Sequence, residues 1–166
     1  MRVAHGDHRG ENALPRLRLH HRFIGEHAAV PADVLELLGD VAVAVHSDDE
    51  RYKKLHGRTV KLPLTEREIP IITDEFVDKD FGSGAVKITP AHDPNDYEVG
   101  ERHDLPRVTV IDHEGKLTAE AGEFAGQEVG PARKAVVKAL EAAGVLGKIK
   151  DHVHNVGHCY KCGTVL

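Results

Sequence analysis

The sequence predicts an α+β fold in which a mixed, mostly antiparallel and barrel-like sheet carries peripheral helices. Short segments of strand character recur along the chain, and few helical patterns lie between them. The two kinds do not alternate with the rhythm of a doubly wound sheet. A length of 166 residues suits one domain, and with no tryptophan and 4% aromatic residues its core must consist of Val, Leu, Ile and Ala.

The predicted strands share β-branched residues and flanking turn residues. They cover Val41–His46, Arg58–Pro63, Glu68–Thr73, Gly84–Thr89, Arg107–Asp112 and Lys148–Val156. Pro70 lies within the third of them. Because proline cannot donate a ladder hydrogen bond, we expect that strand at a sheet edge, at a bulge or at its own beginning. In the fourth strand, Lys87 and Thr89 alternate with apolar residues, so their side chains share one face.

The predicted helices carry recognisable first and last residues. They cover Ser47–Gly57, Asp93–Arg102 and Pro131–Ala143. Ser47 can cap a charged helical turn, and Asp93 at the N-cap with Pro94 at the first helical position opens the second helix. The third helix is the longest and ends at Gly144. Its apolar stripe consists of Ala135, Val136, Ala139 and Leu140.

Amino-acid usage changes near residue 38. Residues 1–38 hold five arginines and five of the thirteen histidines, whereas all eleven lysines and all seven threonines follow. Two interpretations stay open: a short arm with a helix at Ala32–Leu38, or a stretch that is not native coding sequence, since GC-rich DNA read out of frame yields Arg, His, Ala, Pro and Leu. We favour the second. We therefore predict an atypical, non-native or disordered segment over 1–38 and a folded body over 39–157.

Net charge and amino-acid composition limit the kinds of function that the protein can have. The formal net charge is −5 and the pI is near 6.2, so no global positive field attracts nucleic acid, and an RNA contact must be local. No apolar run approaches the roughly 20 residues of a membrane span, and the first residues lack the apolar region of a secretory signal. Two cysteines in a single C-x-x-C suit a reducing compartment. We expect a cytoplasmic protein without membrane contacts.

A dense polar cluster joins the fourth predicted strand to the following helix. Lys87, Thr89, His92, Asp93 and Asp96 converge at this corner if both elements form. Two acids, an ammonium and a hydroxyl can hold an α-amino group and a hydroxyl of a ligand. The alternative is structural, because Asp before Pro commonly caps a helix, and spacing alone favours the cap. His92 titrates near neutrality, but thirteen histidines make a single one weak support for acid–base chemistry.

The segment Asp78–His103 closely resembles the signature of the editing domain inserted in valyl-tRNA synthetases. It reads DKDFGSGAVKITPAHDPNDYEVGERH. The resemblance extends from about Leu37 to Leu166, and the motif K-x-T-P-A-H-D-x-x-D points to valine rather than to the isoleucine and leucine relatives. It implies an editing domain over 39–157. Residues 158–166 are similar to the start of the segment that returns to the synthetase core.

This resemblance implies hydrolysis of tRNA(Val) mischarged with threonine. Asp93 is similar to the carboxylate that grips the substrate ammonium, Asp96 to the acceptor of the threonine hydroxyl, and Lys87 and Thr89 to residues that contact the substrate and its terminal adenosine. His92 completes the candidate substrate-binding set. Asp93 and Lys87 are also the candidate catalytic residues, acting with a positioned water and without an assigned general base.

The same resemblance implies partners and cofactors. The partners are mischarged tRNA(Val) and the synthetase core of the parent chain. Editing requires no cofactor, whereas ATP and Mg²⁺ belong to the parent synthetase. Cys159 and Cys162, beside His158, supply two ligands where a structural zinc site takes four, so we expect a pair of reduced thiols rather than zinc. A small metal-binding module is the weaker alternative.

The chain also departs from the family pattern. The family carries a threonine-rich T-T-R-P-E-T stretch before L-L-G-D, which forms the other wall of the pocket, whereas this chain has AVPADVLE there. The class I aminoacylation signatures H-I-G-H and K-M-S-K-S are absent from the sequence. Two functions therefore stay open: an editing deacylase, or an inactive folded fragment that at most binds tRNA ends.

Overall fold

The computed structural model describes residues 33–146 and residue 161. A short helix α1 (Asp33–Glu36) and a 3₁₀ turn (Leu37–Gly39) precede the first strand. The strands are β1 (Ala42–Val45), β2 (Thr59–Lys61), β3 (Glu68–Thr73) and β4 (Ala85–Ile88). Two longer helices follow, α2 (Pro94–Arg102) and α3 (Val129–Ala142), and further 3₁₀ turns cover Lys53–Leu55 and Ala119–Phe124.

The strands form one mixed sheet in the order β2-β3-β1-β4. β1 pairs in parallel with β3, and the other two pairs, β1 with β4 and β2 with β3, are antiparallel. The predicted α+β class with a mostly antiparallel sheet is therefore confirmed. Within residues 33–146 the sheet stays open, with β2 and β4 at its edges, so the barrel-like curvature expected from the sequence does not close.

Strand β1 is buried on both faces, which is why its sequence is continuously apolar. Val43 and Val45 pack in a cluster with residues of β2 and β3. Ala42 and Ala44 point the opposite way and pack with Ile88 of β4 and with α2. A third cluster joins α1 to α3 and the last 3₁₀ turn, which puts the end of α1 beside the sheet.

Pro70 does not mark an edge. It is the third residue of β3, which lies between β2 and β1. The Ile71 N–H donates to the Arg58 carbonyl at 2.7 Å, toward the β2 side, so the neighbouring Pro70 nitrogen faces β1. Pairing with β1 begins only at Ile71. Because β1 does not pair with Pro70, no ladder hydrogen bond requires the N–H that proline lacks. Pro70 can therefore lie in an inner strand, and the prediction of a sheet edge was wrong.

Two other predicted elements differ from those in the structure. The segment after Ser47 is a series of turns and a 3₁₀ turn rather than a capped α-helix, because its main-chain bonds span three residues, as from Tyr52 N–H to the Asp49 carbonyl at 3.0 Å. Arg107–Asp112 is not a strand. Its Val110 N–H donates to a side chain, the His92 Nε2 at 3.0 Å, and the segment forms only an isolated bridge between Ile111 and Leu117.

The long helix α3 confirms the predicted one, with Val136 and Leu140 buried and Gly144 ending it at φ +68°. The predicted strand Lys148–Val156, together with Cys159 and Cys162, lies outside the described residues. The boundary proposed at residue 38 stays a prediction. No helix in the described part of the chain is long and apolar enough to cross a membrane.

Candidate functional site

The candidate site lies where β4 leads into α2. Asp93 has extended dihedral angles (φ −128°, ψ 128°), and its Oδ1 accepts the N–H groups of Asn95 at 2.7 Å and Asp96 at 3.1 Å. Pro94 occupies the first turn, where its missing N–H leaves no bond unmade. The predicted N-cap is confirmed. The capping bonds therefore fix the Asp93 carboxylate at the entrance to the helix.

Helix α2 lies very close to this corner because Gly100 allows it. A Cβ at Gly100 would approach the Pro90 Cγ to 2.8 Å, closer than packed carbon atoms tolerate. The 3₁₀ turn before β1 is equally tight, since a Cβ at Gly39 would lie 3.3 Å from the Thr89 Cγ2 and 3.0 Å from the Val108 carbonyl oxygen. The two glycines thus bring α2 and the chain before β1 onto opposite sides of Thr89.

Lys87 and Thr89 share a face, as strand alternation predicts. The Lys87 ammonium donates to the Thr89 hydroxyl oxygen at 3.1 Å. Thr89 is fully buried, whereas Lys87 is half-buried and reaches toward the surface. The strand end therefore presents a cation whose inner contact is a buried hydroxyl.

Two buried carboxylates hold Thr89 from opposite sides. Asp96, in the first turn of α2, accepts the Thr89 main-chain N–H at 2.8 Å through Oδ2. Asp40, which precedes β1, accepts the Thr89 hydroxyl proton at 2.6 Å through Oδ1. Only 2% of Asp40 and 6% of Asp96 is exposed. The result is a continuous chain of hydrogen bonds from Lys87 through Thr89 to both acids.

The electrostatics of this cluster raise the pKa of Asp40 from 3.8 to about 7. Burial is the largest cause, and the nearby Asp96 and Glu36 act in the same direction, whereas Lys87 and the Thr89 hydroxyl lower this pKa. Glu36, at the end of α1, places its Oε2 3.6 Å from the Lys87 Nζ. The Lys87 ammonium and the carboxylates of Glu36 and Asp96 thus all act on Asp40.

His92 is turned away from this chain of hydrogen bonds. Its Nε2 accepts the Val110 N–H at 3.0 Å, which requires an unprotonated nitrogen. Burial lowers the pKa of His92, and the charge of Lys87 lowers it further. His92 is therefore a neutral hydrogen-bond acceptor that ties the corner to the segment after α2.

Sequence reasoning brought Lys87, Thr89 and Asp96 together, and the structure links them directly. It also adds Asp40 and Glu36, which the residue pattern of the corner does not reveal. Asp40 had one sequence signal, since it is a carboxylate placed directly before a continuously apolar strand. Within residues 33–146 and 161, no group of three His, Cys, Asp or Glu side chains is arranged to hold a metal ion.

The arrangement suits a small ligand that carries an ammonium and hydroxyl groups. Asp93 is anchored through Oδ1, and an ionised carboxylate accepts about four hydrogen bonds, so it can serve the helix and a cation together. Lys87 supplies a positive charge for an ester or phosphate oxygen. Charged groups that are already fixed in place stabilise the charge that develops in a transition state, because they need not reorganise during the reaction. Such an arrangement favours hydrolysis by a positioned water.

Comparison with known proteins supports the resemblance to an editing domain. The family model described as "Leucyl-tRNA synthetase, editing domain" matches residues 39–142. The valine–tRNA ligase of Bacillus thuringiensis subsp. konkukian is 58% identical over 130 residues, which is 78% of this chain and 15% of that protein. Those of Halalkalibacterium halodurans and Geobacillus stearothermophilus are 56% and 57% identical over the same shares.

The chain thus spans about 15% of the length of the curated relatives that it matches. The family match covers the sheet, the corner with Lys87, Thr89, Asp93 and Asp96, and all of α3. The corner motif and the fold that positions it therefore lie inside the region that defines the family. On this ground the chain belongs to the aminoacyl-tRNA synthetase editing-domain family, and within that family it is similar to valine–tRNA ligases.

Proposed function

We propose that the chain is an editing deacylase that hydrolyses the ester bond of tRNA(Val) mischarged with threonine. The observation that carries the proposal is the hydrogen-bonded chain of Lys87, Thr89 and Asp96 beside the capped Asp93, at the strand end inside the family match. A hydrophobic synthetic pocket cannot strongly reject an isostere that adds a hydroxyl, and valyl-tRNA synthetase facing threonine is the standard example of that limit. A second site must then recognise the hydroxyl.

We assign the roles by the family resemblance, and the geometry supports them. Asp93 receives the substrate ammonium, because its carboxylate is fixed at the helix entrance and only half-buried. Asp96 accepts the threonine hydroxyl from a buried position, where a ligand without that donor gains nothing. Lys87, which is partly exposed, contacts the ester and the terminal adenosine, and the fully buried Thr89 supports that contact by accepting a hydrogen bond from Lys87. His92, neutral and fixed, lines the corner, and a water held by these groups attacks the ester carbonyl.

The ester bond breaks without a cofactor in this scheme. The water oxygen forms the new bond to the carbonyl carbon and gives up a proton to solvent. The bond between that carbon and the ribose oxygen breaks, and the ribose oxygen takes a proton from solvent. The products are free threonine and uncharged tRNA(Val). Lys87 lowers the energy of the developing oxyanion. The other partner we propose is the core of a valine–tRNA ligase, which delivers the tRNA end.

The direct test is deacylation of Thr-tRNA(Val) by the full chain, with Val-tRNA(Val) as the control substrate. We expect faster release of threonine than of valine. Asp93→Asn separates the two roles of this residue, because Asn still caps the helix but carries no charge. It should lose deacylation and keep the melting temperature. Wild-type deacylation by Asp93→Asn would show that the charge is unnecessary and would overturn the role of Asp93.

One observation favours the second candidate, an inactive folded fragment. The stretch before Gly39 contains no threonine, and Glu36 from that stretch lies beside Lys87 instead. Replacing Ala29–Glu36 by a threonine-rich stretch should raise deacylation if this contact and the missing wall limit the activity. If neither protein releases threonine while both bind tRNA(Val), the fragment interpretation is correct.

A further inference from the structure

We propose that Asp40 is a positioning residue of the editing site, which holds the Lys87 ammonium in place through the Thr89 hydroxyl. This inference rests on the proposed deacylase function and deepens it. Neither the corner motif nor the family resemblance assigns Asp40 a role. Three observations carry it: the direction of the hydrogen bonds, the rigid placement of Asp40, and the charges that face it.

The direction of the hydrogen bonds follows from the donor count. An ammonium can only donate, so the Thr89 hydroxyl oxygen accepts from Lys87 at 3.1 Å. The single hydroxyl proton must then point elsewhere, and the Asp40 Oδ1 lies 2.6 Å away. An ionised Asp40 therefore fixes Thr89 as an acceptor for Lys87. Without that acceptor the hydroxyl can rotate its proton toward the ammonium, and the contact is lost.

Main-chain hydrogen bonds fix the position of Asp40. Its own N–H donates to the Leu37 carbonyl at 3.2 Å, and the next N–H, of Val41, donates to the Ile88 carbonyl at 2.9 Å. The side chain is 2% exposed and cannot reach a ligand at the surface. Asp40 must therefore act through Thr89 rather than on the substrate itself.

The charged groups that face Asp40 come from three elements. Lys87 approaches from β4, Asp96 from α2 and Glu36 from α1. Burial, with the two carboxylates, raises the pKa of Asp40 to about 7. Above that pH Asp40 accepts from Thr89. Below it the Asp40 carboxyl carries a proton that it can donate to the Thr89 hydroxyl oxygen; the hydroxyl proton is then no longer held away from Lys87, and the contact between Lys87 and Thr89 weakens.

The test is the pH profile of Thr-tRNA(Val) deacylation, measured in single turnover and corrected for spontaneous hydrolysis at each pH. For wild type we expect a rise of about tenfold between pH about 6 and pH about 8, the size of one lost charge-assisted contact. Asp40→Asn keeps an acceptor oxygen and should give a flat profile. Asp40→Leu removes the acceptor and should be slower by about tenfold at pH about 8.

The matched control is Asp49→Asn, another buried acid, which pairs with Arg51 away from the site. It should keep the wild-type profile even if it lowers the melting temperature. A flat wild-type profile, or a step that persists in Asp40→Asn, would overturn the inference. Thermal melts of each variant separate loss of fold from loss of positioning.

A second measurement tests the role of Asp40 independently of the deacylase activity. The amide and methyl NMR signals of Thr89 should titrate with a midpoint near 7 in wild type and stay constant in Asp40→Asn. If the chain releases no threonine at any pH, the deacylase proposal fails, and the Thr89 titration still decides whether Asp40 controls this hydroxyl. The same titration in both proteins would overturn the link between Asp40 and Thr89.

Discussion

The two ends of α2 are each tied to the sheet through a carboxylate, and they differ in charge balance. At the C-terminal end, Asp74 after β3 accepts hydrogen bonds from the Arg102 guanidinium at 3.0 Å and from the His103 Nε2 at 2.9 Å. At the N-terminal end, Asp96 and Asp40 hold the neutral Thr89, and Lys87 contacts both Thr89 and Glu36.

The pKa values follow this difference. Burial alone would raise the pKa of Asp74, but hydrogen bonds from the Phe76 N–H, His103 and Arg102 outweigh it and hold that pKa below 3.8. Burial raises the pKa of Asp40, and together with Asp96 and Glu36 it outweighs the opposing effect of Lys87, so that this pKa lies at about 7. Asp74, which receives Arg102 and His103, is a structural clamp. The acid cluster around Thr89 is the one that, in our proposal, receives a positive ligand such as an α-ammonium group.

The largest expected effect is on activity at the N-terminal end. Lys87→Met keeps the length of the side chain and removes its charge, so it should lower Thr-tRNA(Val) deacylation by roughly 10²–10³-fold, the usual effect of losing one oxyanion-stabilising donor. Lys61→Met, on the exposed edge strand β2, is the control and should leave the rate unchanged. Equal rates for wild type and Lys87→Met in single-turnover assays would remove Lys87 from the mechanism.

The next effect is on the pH dependence of stability, and its sign differs between the two ends. Because the folded pKa of Asp74 is depressed, its ionised carboxylate stabilises the fold above a pH of about 3.9. This stabilisation is lost as the pH falls further. Because the folded pKa of Asp40 is raised, ionising it destabilises the fold between pH 3.8 and about 7. Asp40→Asn should therefore gain stability relative to wild type, by a few kcal/mol, as pH rises through that window.

Urea unfolding of wild type, Asp40→Asn and Asp74→Asn at several pH values measures both slopes. The difference between wild type and Asp74→Asn should shrink only in acid, below pH about 4. Parallel curves for wild type and Asp40→Asn across pH 3.8 to about 7 would show that Asp40 does not titrate there.

A smaller effect is expected from the clamp at neutral pH. Asp74→Asn removes the charge that receives Arg102 and His103, so it should lower the free energy of unfolding by about 2 kcal/mol, the range for hydrogen bonds to charged groups. Deacylation should stay within about twofold of wild type, as no reacting group contacts the clamp. Glu101→Gln, in the exposed pair with Arg107, is the control and should change stability by less than about 1 kcal/mol.

The smallest effect concerns Glu36. Its carboxylate lies 3.6 Å from the Lys87 ammonium and competes with a ligand for that charge. Glu36→Gln should raise deacylation about two- to fivefold, the equivalent of a weak partly exposed ion pair. Glu50→Gln, which removes the exposed partner of Lys53, should change nothing. A slower Glu36→Gln variant would mean that Glu36 helps to position Lys87.

Much of the corner could be predicted because its geometry is local. Asp93 and Pro94 start α2 through bonds that reach two or three residues ahead, and Lys87 meets Thr89 because alternate strand residues share a face. Gly144 ends α3 for the same kind of reason. Arg107–Asp112 failed as a strand because its Val110 N–H is taken by His92, eighteen residues away, which no local pattern shows.

The sequence by itself determined the α+β class, the capped start of α2, the polar face of β4 and the resemblance that names the family, because each depends on residues that are neighbours along the chain. Only the tertiary structure decided that Pro70 lies inside the sheet, that Glu36 reaches Lys87, and that Asp40 binds a threonine 49 positions away. Those contacts depend on the strand order β2-β3-β1-β4, and burial in that order, rather than the residue type, sets the pKa of Asp40.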